Sequence, residues 1–121
     1  MSGSERLSTA LATKDRDALV SVLAPNVVWS GHEQLGNAGL QCTSREEVAD
    51  VFDSYIAAGH TGEPEIVAEV GDEVVVDPHP DPPVPGFETI HHVYTLSDEL
   101  VVRMQDYPDR ESALNAVGLE S

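Results

Sequence analysis

Apolar positions near the start of the chain recur at helical spacing. Leu7, Ala10 and Leu11 share one face, and beyond Asp15, a residue suited to cap a helix, Ala18, Leu19, Val22 and Leu23 share another. Pro25-Asn26 predicts the end of that second helix, and Val27-Val28-Trp29 predicts a strand from its β-branched and aromatic content. The stretch 31–39, with three glycines and Asn37, reads as a loop. Thr43, Ser44, Glu46 and Glu47 then set a hydroxyl three residues before a carboxylate in either register, the capping-box pattern. Val48, Val51, Phe52, Tyr55 and Ile56 follow at i, i+3, i+4, i+7 and i+8, and Gly59 supplies a stop.

From Glu65 the period changes to two. Residues 66–70 and 73–77 predict two strands joined through Gly71-Asp72, a hairpin turn signal. Pro78, Pro80, Pro82, Pro83 and Pro85 cannot donate to a ladder, so this segment is expected to cover or edge the fold as rigid loop. Residues 87–96 and 100–107 predict a second strand pair, followed by Pro108, a capping Asp109 and a closing helix through Ala113, Leu114 and Val117. Helices first and strands after imply an α+β domain with helices on one face of an antiparallel sheet.

The parity of the last two strands points to a pocket. One face carries Ile90, His92, Tyr94 and Leu96, then Leu100, Val102, Met104 and Asp106. A three-residue loop 97–99 would set 94 opposite 102 and 92 opposite 104, keeping both apolar sets on one covered face. Glu99 would then take a left-handed conformation. His92 and Asp106 interrupt this covered face on a bridgeable diagonal. A carboxylate there fixes the tautomer of an imidazole and makes it a general base, so this pair is the candidate catalytic site. The other face, with Thr89, Val93, Thr95, Val101 and Tyr107, is apolar enough to suggest a homodimer.

The whole chain resembles the nuclear transport factor 2-like superfamily, in the branch of SnoaL-like polyketide cyclases, steroid isomerases and limonene-epoxide-hydrolase-like proteins. The resemblance is carried by residues 19–23 running into Val28-Trp29, by Arg45-Glu46-Glu47-Val48, and by Leu96-Ser97-Asp98-Glu99-Leu100-Val101 with Met104-Gln105-Asp106-Tyr107-Pro108-Asp109. It implies a curved antiparallel sheet packed on N-terminal helices, a cystatin-like cone with an internal pocket, commonly as a homodimer. Asp106 matches the position of a catalytic aspartate in the epoxide hydrolases. Their Arg and second Asp would fall near Glu73 and Val75, which do not match. A steroid-isomerase base would fall at Gly31 or His32 and its oxyanion-stabilising acid near His92, and the first helix has no tyrosine. The resemblance therefore implies a small-molecule-binding domain over residues 1–121, acting on an apolar substrate by proton transfer as a lyase, isomerase or cyclase. The alternative is a non-catalytic ligand-binding or dimerisation module. Trp29, His32, Phe52, Tyr55, Tyr94 and Met104 are the residues expected to bind the ligand.

Size and charge bound the rest. The chain's 121 residues, 40% of them hydrophobic, suit one domain with one core. Six basic residues against 22 acidic ones give a formal charge of -16, which repels phosphate backbones and anionic headgroups. Nucleic-acid and membrane partners are therefore not expected, and a cytoplasmic location is, since no secretory signal pattern opens the chain. Lys14 is the only lysine. That bias fits either a saline cytoplasm or an ordinary acidic protein from a GC-rich genome. Cys42 is the sole cysteine and reads as structural. His91 and His92, adjacent on a strand, point to opposite faces and cannot share one ion, while His60 and His79-Pro80-Asp81 fall in loops. No metal and no cofactor is expected.

Overall fold

The computed structural model describes residues 3–37, 39–60 and 62–119. Helices α1 (Gly3–Thr13) and α2 (Arg16–Val22) lead into strand β1 (Leu23–Ser30), a 3-10 turn (Glu33–Leu35) and a short strand β2 (Gln41–Cys42). Helix α3 (Arg45–Ala57) follows, then β3 (Glu65–Val70), β4 (Glu73–Asp77), β5 (His91–Ser97), β6 (Leu100–Tyr107) and α4 (Arg110–Ala116). The helix starts are those the caps predict. Asp15, Ser44 and Asp109 each accept a backbone N–H from the first turn that follows, and Glu47 Oε1 reaches back to accept the N–H of Thr43 at 3.0 Å.

The six strands form one sheet in the order β2-β1-β6-β5-β4-β3. Its pairs are antiparallel except β1 with β6, which run parallel, so the sheet is mixed. Helices α1, α2 and α3 lay Leu7, Leu19, Val22, Val48 and Ala49 on one face, against Val27, Trp29, Val74, Val76, Tyr94 and Met104. Helix α4 packs on the opposite face, where Ala113 and Val117 cover Val75 and Val93 in a second, smaller apolar cluster. The sequence pattern predicts all helices on one face and one core, and α4 with its own apolar cluster departs from both. The alternation of Val74, Val75 and Val76, all buried, shows why a second cover is needed: consecutive apolar residues face both ways.

Local boundaries differ in three places. Strand β1 begins at Leu23 and carries Pro25-Asn26 within it. The pairing with β6 shifts between Leu23 and Val28, so the proline occupies an irregular stretch that needs no ladder donor. Strand β5 begins at His91, later than expected, because Phe87 and Ile90 donate their N–H groups to Val84 and Phe87 in turns. The β5–β6 turn has two residues, Asp98 and Glu99, both at positive φ (53° and 67°), as a primed hairpin turn requires. Ser97 pairs with Leu100 and Leu96 with Val101, after which the register shifts so that Thr95 pairs with Arg103. Val102 is the extra residue of a bulge. It restores the phase that a two-residue turn would have broken, setting Tyr94 opposite Met104 and His92 directly opposite Asp106. Val101, expected on the outer face, joins the inner cluster with Leu96.

Candidate functional site

A cavity of about 110 Å³ lies between the inner sheet face and α1–α3. One water needs roughly 10–15 Å³ by this measure, so an organic molecule can enter. Trp29 from β1, Phe52 and Tyr55 from α3, and His92 and Tyr94 from β5 form its wall. The proline segment supplies the mouth through Pro78, Pro80, Val84, Phe87 and Ile90, as expected of a segment that covers the fold. Trp29 stacks on Phe52 with ring centroids 5.4 Å apart, and His92 stands edge-on to both Trp29 (5.7 Å) and Tyr94 (5.9 Å).

Behind this wall lies Asp106, 1% exposed. Trp29 Nε1 donates to its Oδ1 at 2.6 Å, and Asn37 Nδ2 donates to its Oδ2 at 3.0 Å. His92 Nε2 stands 3.4 Å from Oδ1, longer than a normal N–H···O bond, and His92 Nδ1 lies 3.3 Å from the Tyr94 hydroxyl. Asp106, His92 and Tyr94 thus form a chain of ionisable groups from the interior to the cavity wall. Gly31 makes one arm of it: a Cβ there would come within 1.9 Å of the Asn37 carbonyl oxygen, so only glycine lets the chain between Gly31 and Asn37 fold back and aim Asn37 at Asp106.

Burial lowers the His92 pKa below its ordinary 6.5, against the opposing pull of Asp106, so the imidazole is neutral at neutral pH. Burial, with the Asp106 charge adding to it, pushes the Tyr94 hydroxyl far above its ordinary value and raises Tyr55 in the same sense. Nε2–H directed at Asp106 leaves Nδ1 to accept from the Tyr94 hydroxyl.

Two of the expected ligand-binding residues lie elsewhere. His32 caps the 3-10 turn by accepting the Gln34 N–H at 3.1 Å, and its ring centroid lies 5.7 Å from that of Tyr107, away from the cavity wall. Met104 is fully buried in the inner cluster, where its place opposite Tyr94 gives it packing rather than access. His60, read from sequence as a loop residue, lines the cavity, with its ring 6.5 Å from Tyr55 and its Nδ1 against the Pro82 carbonyl. Asn37 carried no signal beyond its place in a glycine-rich loop. Cys42 is buried and its thiol pKa is raised, mainly by that burial, which suits packing and not reactivity.

A mixed sheet, three helices over one face and a cavity between them make an α+β fold of the kind seen in solved NTF2-like and cystatin-fold proteins. The model of the SnoaL-like domain matches residues 4–104, and the chain belongs to that family. No curated protein matches the sequence. Among solved structures, a hypothetical protein with a ketosteroid isomerase-like fold from Catenulispora acidiphila in complex with trimethylamine shares 18% identity at a TM-score of 0.62, covering 97% of this chain and 92% of that one. TerC, co-crystallised with polyporic acid, shares 20% identity at a TM-score of 0.57 over 95% and 94%. A SnoaL-like protein of unknown function from Burkholderia thailandensis shares 19% at 0.64 over 86% and 89%. At such identities the likeness is one of fold. Among the described residues no helix is long and apolar enough to cross a membrane.

Proposed function

We propose that this SnoaL-like domain binds a small, largely apolar molecule in the cavity and moves a proton on it, as a lyase, isomerase or cyclase. The observation that carries the proposal is the Asp106–His92–Tyr94 chain, whose inner end is buried and whose outer end opens on an apolar wall. A neutral imidazole there is a base whose protonated form Asp106 stabilises, and the Tyr94 hydroxyl relays the proton to it: the phenol oxygen takes the substrate's proton as its own hydrogen passes to His92 Nδ1. The relatives solved with trimethylamine and with polyporic acid support a ligand-holding role for the fold. The reading of a non-catalytic binding module has its own support: Asp106 sits behind the wall, and both His92 nitrogens already face protein groups.

A library of small apolar molecules screened by native mass spectrometry distinguishes the two. A ligand that is converted by the wild type, and bound but not converted by His92→Gln, supports proton transfer. Binding without conversion supports the module.

A homodimer in the cytoplasm belongs to the same proposal, with less surface to carry it than the sequence offered. Val93 lies under α4, Tyr107 packs against the same cluster, Val101 faces inward, and the Thr89 hydroxyl donates to the Pro108 carbonyl. A monomeric mass by light scattering at tens of micromolar protein would reject it.

A further inference from the structure

The outer sheet face holds a second histidine–carboxylate group that the cavity does not use. Glu65 Oε1 and Asp77 Oδ2 lie 2.9 and 3.6 Å from His79 Nε2, and ligand atoms of these three residues all fall within 4.8 Å of one another. His91 approaches from β5, its Nε2 3.5 Å from the same Asp77 Oδ2. All four residues line one groove between the hairpin β3–β4 and the start of the proline segment.

His91 makes this more than an acidic cluster. It is 4% exposed, and its Nε2 is the only buried side-chain nitrogen or oxygen among the described residues that lacks a hydrogen-bond partner. Its Nδ1 lies 2.8 Å from the Thr89 carbonyl, which can only accept, so Nδ1 carries the hydrogen. In the neutral ring Nε2 then presents a bare lone pair to a carboxylate oxygen. Two electron-rich atoms 3.5 Å apart are reconciled by a proton on Nε2 or by a cation held between them. A backbone carbonyl on the far nitrogen is the arrangement that fixes a metal-binding imidazole. Asp77 is oriented in the same way, because its Oδ1 accepts the His79 N–H at 2.9 Å and leaves Oδ2 facing the group. Separations of 3.5 and 3.6 Å are close to the roughly 3.4 Å between neighbouring ligand atoms around a tetrahedral zinc ion.

We propose that Glu65, Asp77, His79 and His91 bind one divalent transition-metal ion of the zinc type. Two imidazoles with two carboxylates favour such an ion over magnesium or calcium, which take oxygen ligands. The ion ties the edge hairpin to the proline segment at His79, between Pro78 and Pro80, which form part of the cavity mouth. Gly62 holds the far side of the groove in place, since a Cβ there would meet the His79 carbonyl oxygen at 1.4 Å. The exposed Arg110 guanidinium stands 3.8 Å from Asp77 Oδ2 and 3.9 Å from Glu65 Oε1 as the present counter-charge, and it must swing away when the ion enters.

The test is calorimetric titration of chelator-treated protein with zinc alone, and with magnesium alone as the comparison. One zinc per chain is expected, with magnesium weaker by at least about tenfold. His79→Gln and Glu65→Gln, both at exposed positions, are each expected to weaken zinc by about tenfold or more. Arg110→Gln is expected to tighten it, the opposite sign. Cobalt added in place of zinc should give the visible absorption of a tetrahedral site. An equal response to magnesium and zinc, or zinc binding that His79→Gln and Glu65→Gln leave unchanged, overturns the proposal. Because both variants sit at the surface, their folding is checked by the unchanged apo melting curve.

Discussion

His91 and His92 are neighbours in β5, yet each faces an aspartate from a different flanking strand, on opposite faces of the sheet. The separations are nearly the same, 3.5 Å to Asp77 and 3.4 Å to Asp106. The surroundings are not. Asp106 has an N–H donor on each oxygen, and His92 has a protein group near each nitrogen, so the inner set is buried and its polar atoms are partnered. On the outer face the aspartate is shared among two histidines and an arginine, half of the set is exposed, and one imidazole nitrogen is unsatisfied. The same pair of residue types therefore has different chemistry in the two places. A saturated buried pair resists change, whereas one with an unpartnered imidazole nitrogen still has a lone pair to offer.

The largest expected contrast comes from removing each aspartate. Asp106→Ala strands the Trp29 and Asn37 donors and leaves His92 without its counter-charge, so a loss of about 3 kcal/mol or more is expected by denaturant unfolding. Asp77→Ala, whose partners His79 and Arg110 are exposed and only His91 buried, is expected to cost less, about 1–2 kcal/mol. Equal losses would erase the distinction between the faces. Asp106→Asn sharpens it: the amide accepts one of the two donors and presents its NH₂ to the other, so a cost of about 1–3 kcal/mol is expected. Ligand binding is also expected to weaken, with the fold retained.

Tyr94→Phe keeps the ring and removes the hydroxyl beside His92 Nδ1. Leaving that buried nitrogen unpartnered is expected to cost about 1 kcal/mol, together with a loss of turnover on any converted ligand. Unchanged turnover would exclude the hydroxyl from the proton path.

The pH dependence has a definite sign. Because burial holds the folded His92 pKa below the ordinary 6.5, the unfolded chain binds more protons in the window between the two values. Stability is full above about pH 6.5 and is lost as the pH falls from there through the folded pKa. Melting followed from pH 7.5 to 5.5 should show this slope in the wild type and a flatter one in His92→Gln. An identical slope in both would place the titration elsewhere.

Smallest is the response to chloride salt, which reaches only the exposed charges. With 22 acidic residues against six basic ones, molar sodium chloride is expected to raise the melting temperature by a few degrees at most, chiefly by screening surface repulsion. An unchanged or lower midpoint rejects the salt-adapted reading.

Much of this was legible in the order of residues. Three caps, the α3 apolar stripe and the Gly71-Asp72 hairpin are signals exchanged between residues at most a few positions apart, and they sit where the pattern placed them. Parity alone put His92 and Asp106 on the covered face. Most of the stretches that carry the resemblance to the SnoaL-like family lie within the family model's span of residues 4–104, and the last of them, from Gln105 to Asp109, lies beyond it.

What the sequence by itself determined, then, was the set of local elements, their family and which strand residues turn inward. Tertiary structure alone decided who meets whom. Trp29 and Asn37 reach Asp106 across 77 and 69 positions, and nothing near either residue in the chain encodes that meeting. The Val102 bulge, which turned an expected diagonal into a direct His92–Asp106 pair, depends on how β6 fits between β1 and β5. The placing of α4 on the outer face, and the meeting of Glu65, Asp77, His79 and His91 from three segments, likewise exist only in the folded chain. Helix caps and strand alternation are settled by atoms a few ångströms along the backbone. Register and the partners of buried polar groups are settled by contacts that exist only after the chain has closed on itself.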